Sequence, residues 1–111
     1  MTDTAASPLE SALLTVFHEE YRERGFPSPP EVMVISRENT GAGRYSKLSS
    51  SARISGPDGV LDMKGKYIQM EGLPHGMAAV VSIRRGAIDQ LEIAVYGEDS
   101  WDGVERRWSI L

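Results

Sequence analysis

The sequence predicts an α+β fold in which an N-terminal amphipathic helix packs on a mainly antiparallel sheet of five to six strands. Three observations carry that expectation. Ser7 to Gly25 shows helical periodicity between clear start and stop signals, and the rest of the chain breaks into short strand-like runs. The connections between those runs are tight turns, whereas parallel neighbours need long crossovers.

The helix is the best-marked element. Ser7 suits the N-cap, Pro8 the first helical position, and Glu10 completes a Ser-x-x-Glu capping box. Leu9, Leu13, Val16, Phe17 and Tyr21 recur at helical spacing, while Glu10, Glu19, Glu20 and Glu23 fall largely elsewhere around the axis. Arg22 and Arg24 complement the negative helix end, Gly25 can close it in the left-handed conformation, and Pro27, Pro29 and Pro30 prevent continuation.

Strands follow. Glu31–Ser36 is rich in apolar and β-branched residues, and Asn39 to Gly43 forms a turn. Arg44–Ile54 is polar and serine-rich, which reads as an edge strand or a partly mobile loop. After the Gly56-Pro-Asp-Gly59 turn, Val60–Met63 and Lys66–Glu71 read as a hairpin across Lys64 and Gly65. Met77–Ile83 and Ile88–Tyr96, joined by Arg84-Arg-Gly-Ala87, are the most apolar pair and are expected at the sheet centre. A last strand comprises Glu105–Leu111.

A chain of 111 residues with 41% hydrophobic and 25% charged residues is expected to form one domain over 1–111, with 1–6 as a disordered tail. Absence of cysteine excludes disulfides and thiolate metal sites. The start MTDTAASPLE lacks the basic and apolar regions of a secretory signal, and no apolar run approaches a membrane span, so the expected location is cytoplasmic with no membrane partner. The net charge of −4 argues against nucleic acid, although Arg37 to Lys66 is locally basic. Asp89 to Glu105 carries six acidic residues and no basic one.

No motif specifies catalysis, metal binding or a cofactor, so none of the three is expected. His18 lies in the helix, and His75 in the Leu73-Pro-His-Gly76 turn has no partner visible in the sequence. Gly41-Ala-Gly43-Arg44 lacks the rest of a phosphate-binding fingerprint. Asp58 and Asp62 suggest an acid and base pair, but Asp58 belongs to a Pro-Asp-Gly turn.

A single helix covers only part of one face of such a sheet, which locates the working surface. Alternation puts Leu91, Ile93 and Val95 on the helix side and Glu92, Ala94 and Tyr96 on the other. With Glu98, Trp101 and Asp102 from the following loop, Glu92 and Tyr96 form the expected binding set, aromatic anchors among carboxylates. The alternative is that Trp101 tucks under its own loop and the acids are simply solvated.

The stretch Met70 to Gly103, with its MEGLPHG turn, RRGAI link and landmarks Leu91, Glu92, Tyr96, Gly97 and Trp101, resembles small bacterial proteins of uncharacterised families. Some of these look like the immunity partners of polymorphic toxins. The resemblance implies a stoichiometric binder with no catalytic residue to carry over. The leading expectation is therefore a non-catalytic protein-interaction module, immunity-like, for a basic partner such as a toxin. One alternative is a small-ligand-binding domain or small enzyme with a pocket on the uncovered sheet face, using His75 and Tyr96; another is homo-oligomerisation through that face.

Overall fold

A computed structural model describes residues 4–111. The fold is α+β: one helix, α1 (Pro8–Glu20), packs on an antiparallel sheet of eight strands. These are β1 (Thr4–Ala5), β2 (Met33–Asn39), β3 (Gly43–Ser49), β4 (Gly59–Leu61), β5 (Ile68–Met70), β6 (Leu73–Arg84), β7 (Ala87–Val95) and β8 (Trp108–Ile110). The order is β1-β2-β3-β7-β6-β5-β8, with β4 also on β6. The expected runs at Val60–Met63, Lys66–Glu71 and Glu105–Leu111 form as β4, β5 and β8, and the count exceeds the expected five to six because β3 is a full strand and the two-residue β1, too short to leave a periodic pattern, adds another. Of the expected disordered tail, Met1 to Asp3 lie outside the described residues, and Thr4 and Ala5 pair with Val34 and Met33.

The capping box forms as expected, with Ser7 Oγ accepting from Glu10 N–H and Glu10 Oε1 accepting from Ser7 N–H. The α-helix ends at Glu20. A 3-10 turn, Arg22–Arg24, continues to Gly25, which takes φ +82°. Leu9, Leu13, Leu14 and Phe17 are fully buried in the cluster that joins helix and sheet. Glu10, expected away from the apolar stripe, is fully buried as well.

Two strand expectations need correction. The polar segment Arg44–Ile54 divides: its first part is β3, which is no edge strand but lies between β2 and β7 with Arg44 and Ser46 buried opposite Ile93 and Leu91, while residues 50–54 belong to no strand and form a loop. Nor do the two short runs around Lys64 and Gly65 pair with each other. β4 pairs with Val81–Ile83 and β5 with Leu73 and Met77, both on the long strand β6. Residues 78–80 between these pairings have a strand partner only on the β7 side. The β6–β7 pair is central and apolar, as its composition predicts.

Polar groups on the inner face of β3 are tolerated because α1 supplies their partner. Arg37 Nε and Nη2 donate to the two Glu10 oxygens at 2.9 and 2.7 Å, and Ser46 Oγ donates to Oε2 at 2.6 Å. Arg44 lies 3.5 Å from Glu10 Oε2 and donates to Glu105 Oε2 at 2.8 Å. Glu105 also accepts from Leu9 N–H at 2.9 Å, so the last loop is fastened to the helix start. Among the described residues no buried side-chain nitrogen or oxygen lacks a partner. Burial alone would raise the Glu10 carboxyl, but the hydrogen bonds from Arg37, Ser46 and Ser7 prevail and hold it at about 2.

Candidate functional site

Inner and outer positions alternate cleanly across the central strands. Leu91 and Ile93 of β7 with Met77, Ala79, Val81 and Ile83 of β6 are buried toward α1. The outer face is a grid of aligned residues. One row runs Glu38, Tyr45, Glu92, Val80 across β2, β3, β7 and β6. A second runs Gly43, Ala94, Ala78, and a third Ser36, Lys47, Gln90, Ser82. No helix or loop of the described chain buries this face: Tyr45 is 38% exposed and Tyr96 48% exposed, and Val60 opposite Ser82 is exposed too.

The small-residue row makes a furrow. Gly43 belongs there for a steric reason, since a Cβ at this position would lie 1.9 Å from the Ile93 carbonyl oxygen. Beyond Ala78 the furrow opens into a depression of about 490 Å3 lined by Asp62, Lys66, Tyr67, Ala78, Val80 and Tyr96. It sits where β6 lacks a partner between β4 and β5. A smaller hollow over Ala78, Val80, Ala94 and Glu92 continues it toward Tyr45.

Among the described residues, charge on this face is mainly unpaired and acidic. Lys47 is bound to Asp89, whereas Glu38 and Glu92 make no ion pair or side-chain hydrogen bond among the described residues. Several arginines are engaged or displayed at the other end of the β6–β7 hairpin. There Arg24 donates to the Ser55 and Pro57 carbonyls, and Asp58 accepts from the Arg85 and Gly86 N–H groups. Those two backbone bonds hold the Asp58 carboxyl below its usual range and brace Arg85 at φ +53°. Asp58 is thus a turn clamp, while Asp62 accepts from Lys64 N–H and Tyr21.

The five residues expected to bind do not form one patch. Glu92, half-buried, and Tyr96 lie on or beside the outer face, and Glu98 is exposed on the following loop. Trp101 is 1% exposed; its ring lies under the Arg44 guanidinium at 4.9 Å, and its Nε1–H donates to the Val104 carbonyl at 2.8 Å. It closes the end of the inner core, so it offers no surface to a partner. Asp102 is exposed, but both oxygens accept from Arg106, which pulls its carboxyl well below the usual range. Sequence reasoning passed over Tyr45, Glu38 and Tyr67. For Tyr45 the signal was the alternation within Arg44–Ser49, hidden by the polar residues facing inward.

His75 has an unforeseen partner: its Nδ1 is 3.0 Å from Asp99 Oδ2, and its backbone N–H donates to the same oxygen at 3.3 Å. Such a carboxylate orients an imidazole. The His75 side chain is 64% exposed, and no hydroxyl or amine is hydrogen-bonded to it among the described residues. His18 is structural, its Nδ1–H donating to the Phe26 carbonyl at 2.7 Å. Among the described residues no three metal-ligating side chains converge, and no helix is long and apolar enough to cross a membrane. Comparison with family models, curated proteins and solved structures gave no match.

Proposed function

We propose that this chain is a non-catalytic protein-interaction module that engages a basic partner through the outer face of its sheet, the kind of role that the immunity-like resemblance implies. The row Glu38, Tyr45, Glu92 carries the reading: an exposed aromatic between two carboxylates that have no ion-pair partner among the described residues. Tyrosine supplies contact area at low entropic cost and a face for a cation, while the carboxylates steer a positive surface and reject a negative one. Within the originally expected set, Glu92 and Tyr96 keep this role and Glu98 lies on the adjoining loop. Trp101 and Asp102 act in holding the loop.

The test is affinity capture from the source cells, with the captured protein then purified and its complex rebuilt. The double variant Glu38→Lys with Glu92→Lys should lose that partner, which should be basic, while keeping the thermal midpoint of the parent. Retained capture by the double variant, or an acidic partner, would refute the reading. Self-association through the same face makes a separate prediction, a concentration-dependent dimer in sedimentation velocity that the same double variant alters.

A further inference from the structure

We infer that the outer face takes an extended segment of its partner in the polyproline II conformation, with a basic side chain on Tyr45 between Glu38 and Glu92 and an apolar one three residues away in the depression beside Tyr67 and Tyr96. This rests on the outer face being the recognition surface and adds the conformation and spacing of what binds there.

The spacing argument comes from the grid. Val80, at the mouth of the depression, and Tyr45 stand in the same row with Glu92 between them, hence two strands apart. Two inter-strand steps are about 9.5 Å. Polyproline II repeats every three residues with a rise of about 3.1 Å each, so side chains at i and i+3 point the same way about 9.3 Å apart. A β-strand ligand presents i and i+2 about 6.7 Å apart and falls between the two sites. A helix, about 10 Å wide with its side chains, is too broad for a furrow one residue wide.

Shape and chemistry agree with that spacing. The furrow floor is Gly43, Ala94 and Ala78, and aromatic-lined grooves of this kind favour a ligand that is already extended and loses little entropy on docking. Tyr67 and Tyr96, 37% and 48% exposed, bring phenolic hydroxyls to a ligand whose carbonyls are not bonded internally. The main chain of residues 78–80, without a strand partner on the depression side, offers further hydrogen-bonding groups. Charge sets direction: Glu38 and Glu92 attract the basic side chain at one end, while Lys66 and Asp62 beside the depression leave that end without net charge.

The experiment uses three fluorescein-labelled octapeptides and fluorescence anisotropy at low salt. The first is Pro-Pro-Arg-Pro-Pro-Leu-Pro-Pro, the second moves leucine to two residues after arginine, and the third has glutamine for arginine. The first should bind at least tenfold tighter than either other peptide, and Glu92→Gln or Tyr96→Ala should each weaken it severalfold. Amide shifts in a 1H–15N spectrum should centre on residues 78–80 and 92–96. Equal binding of all three peptides, no binding of any, or shifts centred elsewhere would overturn the inference. If the peptides fail while the Glu38→Lys, Glu92→Lys protein still loses its partner, the docking mode is wrong and the recognition surface stands. Failure of the peptides together with retained capture by the double variant means that the surface itself is wrongly placed.

Discussion

The two faces of β3 differ more than their composition suggests. Inward, Arg44 and Ser46 are buried with their polar atoms bonded to Asn39, Gly103, Glu105 and Glu10. Outward, Tyr45 is exposed between Glu38 and Glu92, and Lys47 is ion-paired with Asp89. Both faces are polar, yet one is core and the other is open. Whether a polar residue holds the fold or meets a partner therefore depends on what the rest of the chain brings to it, and here Glu10 from α1 and Glu105 from the last loop make the difference.

The largest effects should come from breaking the inner face. Removing one member of a buried ion-paired set leaves the others desolvated and uncompensated, so Glu10→Ala should cost about 3–5 kcal/mol. Trp101→Ala should cost a similar amount, about 3–5 kcal/mol, by opening the core end under Arg44. Chemical denaturation measures both, and for a chain this small the thermal midpoint should fall by more than about 10 °C. A Trp101→Ala protein with parental stability would show that the indole is not part of the core.

Next in size is the pH response. The Glu10 carboxyl is held at about 2 against an ordinary 4.5. A group lowered by folding contributes stability that is complete above its unfolded value and lost as pH falls toward its folded one. Its share, about 3 kcal/mol, should therefore disappear between about pH 4.5 and pH 2. Comparing melts of the parent and Glu10→Gln checks this: their gap should be wide near pH 6 and shrink at pH 2. A gap that is constant with pH would mean that Glu10 is not held as an anion.

How far the fold was legible follows the same division. β6 and β7 were readable because their inward residues are apolar and their turn is short. β3 was misread because two of its buried inward residues, beside Leu48, are an arginine and a serine, and the carboxylate that Ser46 binds is 36 residues away in a helix where Glu10 looked only like a cap. The His75–Asp99 pair was hidden for a related reason, since a loop fold brings the two together across 24 positions. Glu92 and Tyr96 were placed outward by alternation alone. Trp101 could not be placed that way, because it lies in a loop without periodicity.

Smaller effects sharpen the outer half of the comparison. Glu38→Lys with Glu92→Lys should leave the thermal midpoint within about 3 °C of the parent, since open surface positions usually contribute little to stability. Lys47→Ala should cost less than about 1 kcal/mol in a denaturant titration, because its pair with Asp89 is partly solvated. A loss as large as that of Glu10→Ala in either variant would mean that the outer face helps to hold the fold.

Hydroxyl-radical footprinting with mass spectrometry, run on the free protein at low concentration, tests most directly whether that face stands uncovered. Tyr45, Tyr67 and Tyr96 should be oxidised readily, while Trp101, intrinsically among the most reactive side chains, should be protected. Protection of Tyr45 and Tyr96 together with rapid oxidation of Trp101 would contradict the account, because it would place the open surface on the other side of the sheet.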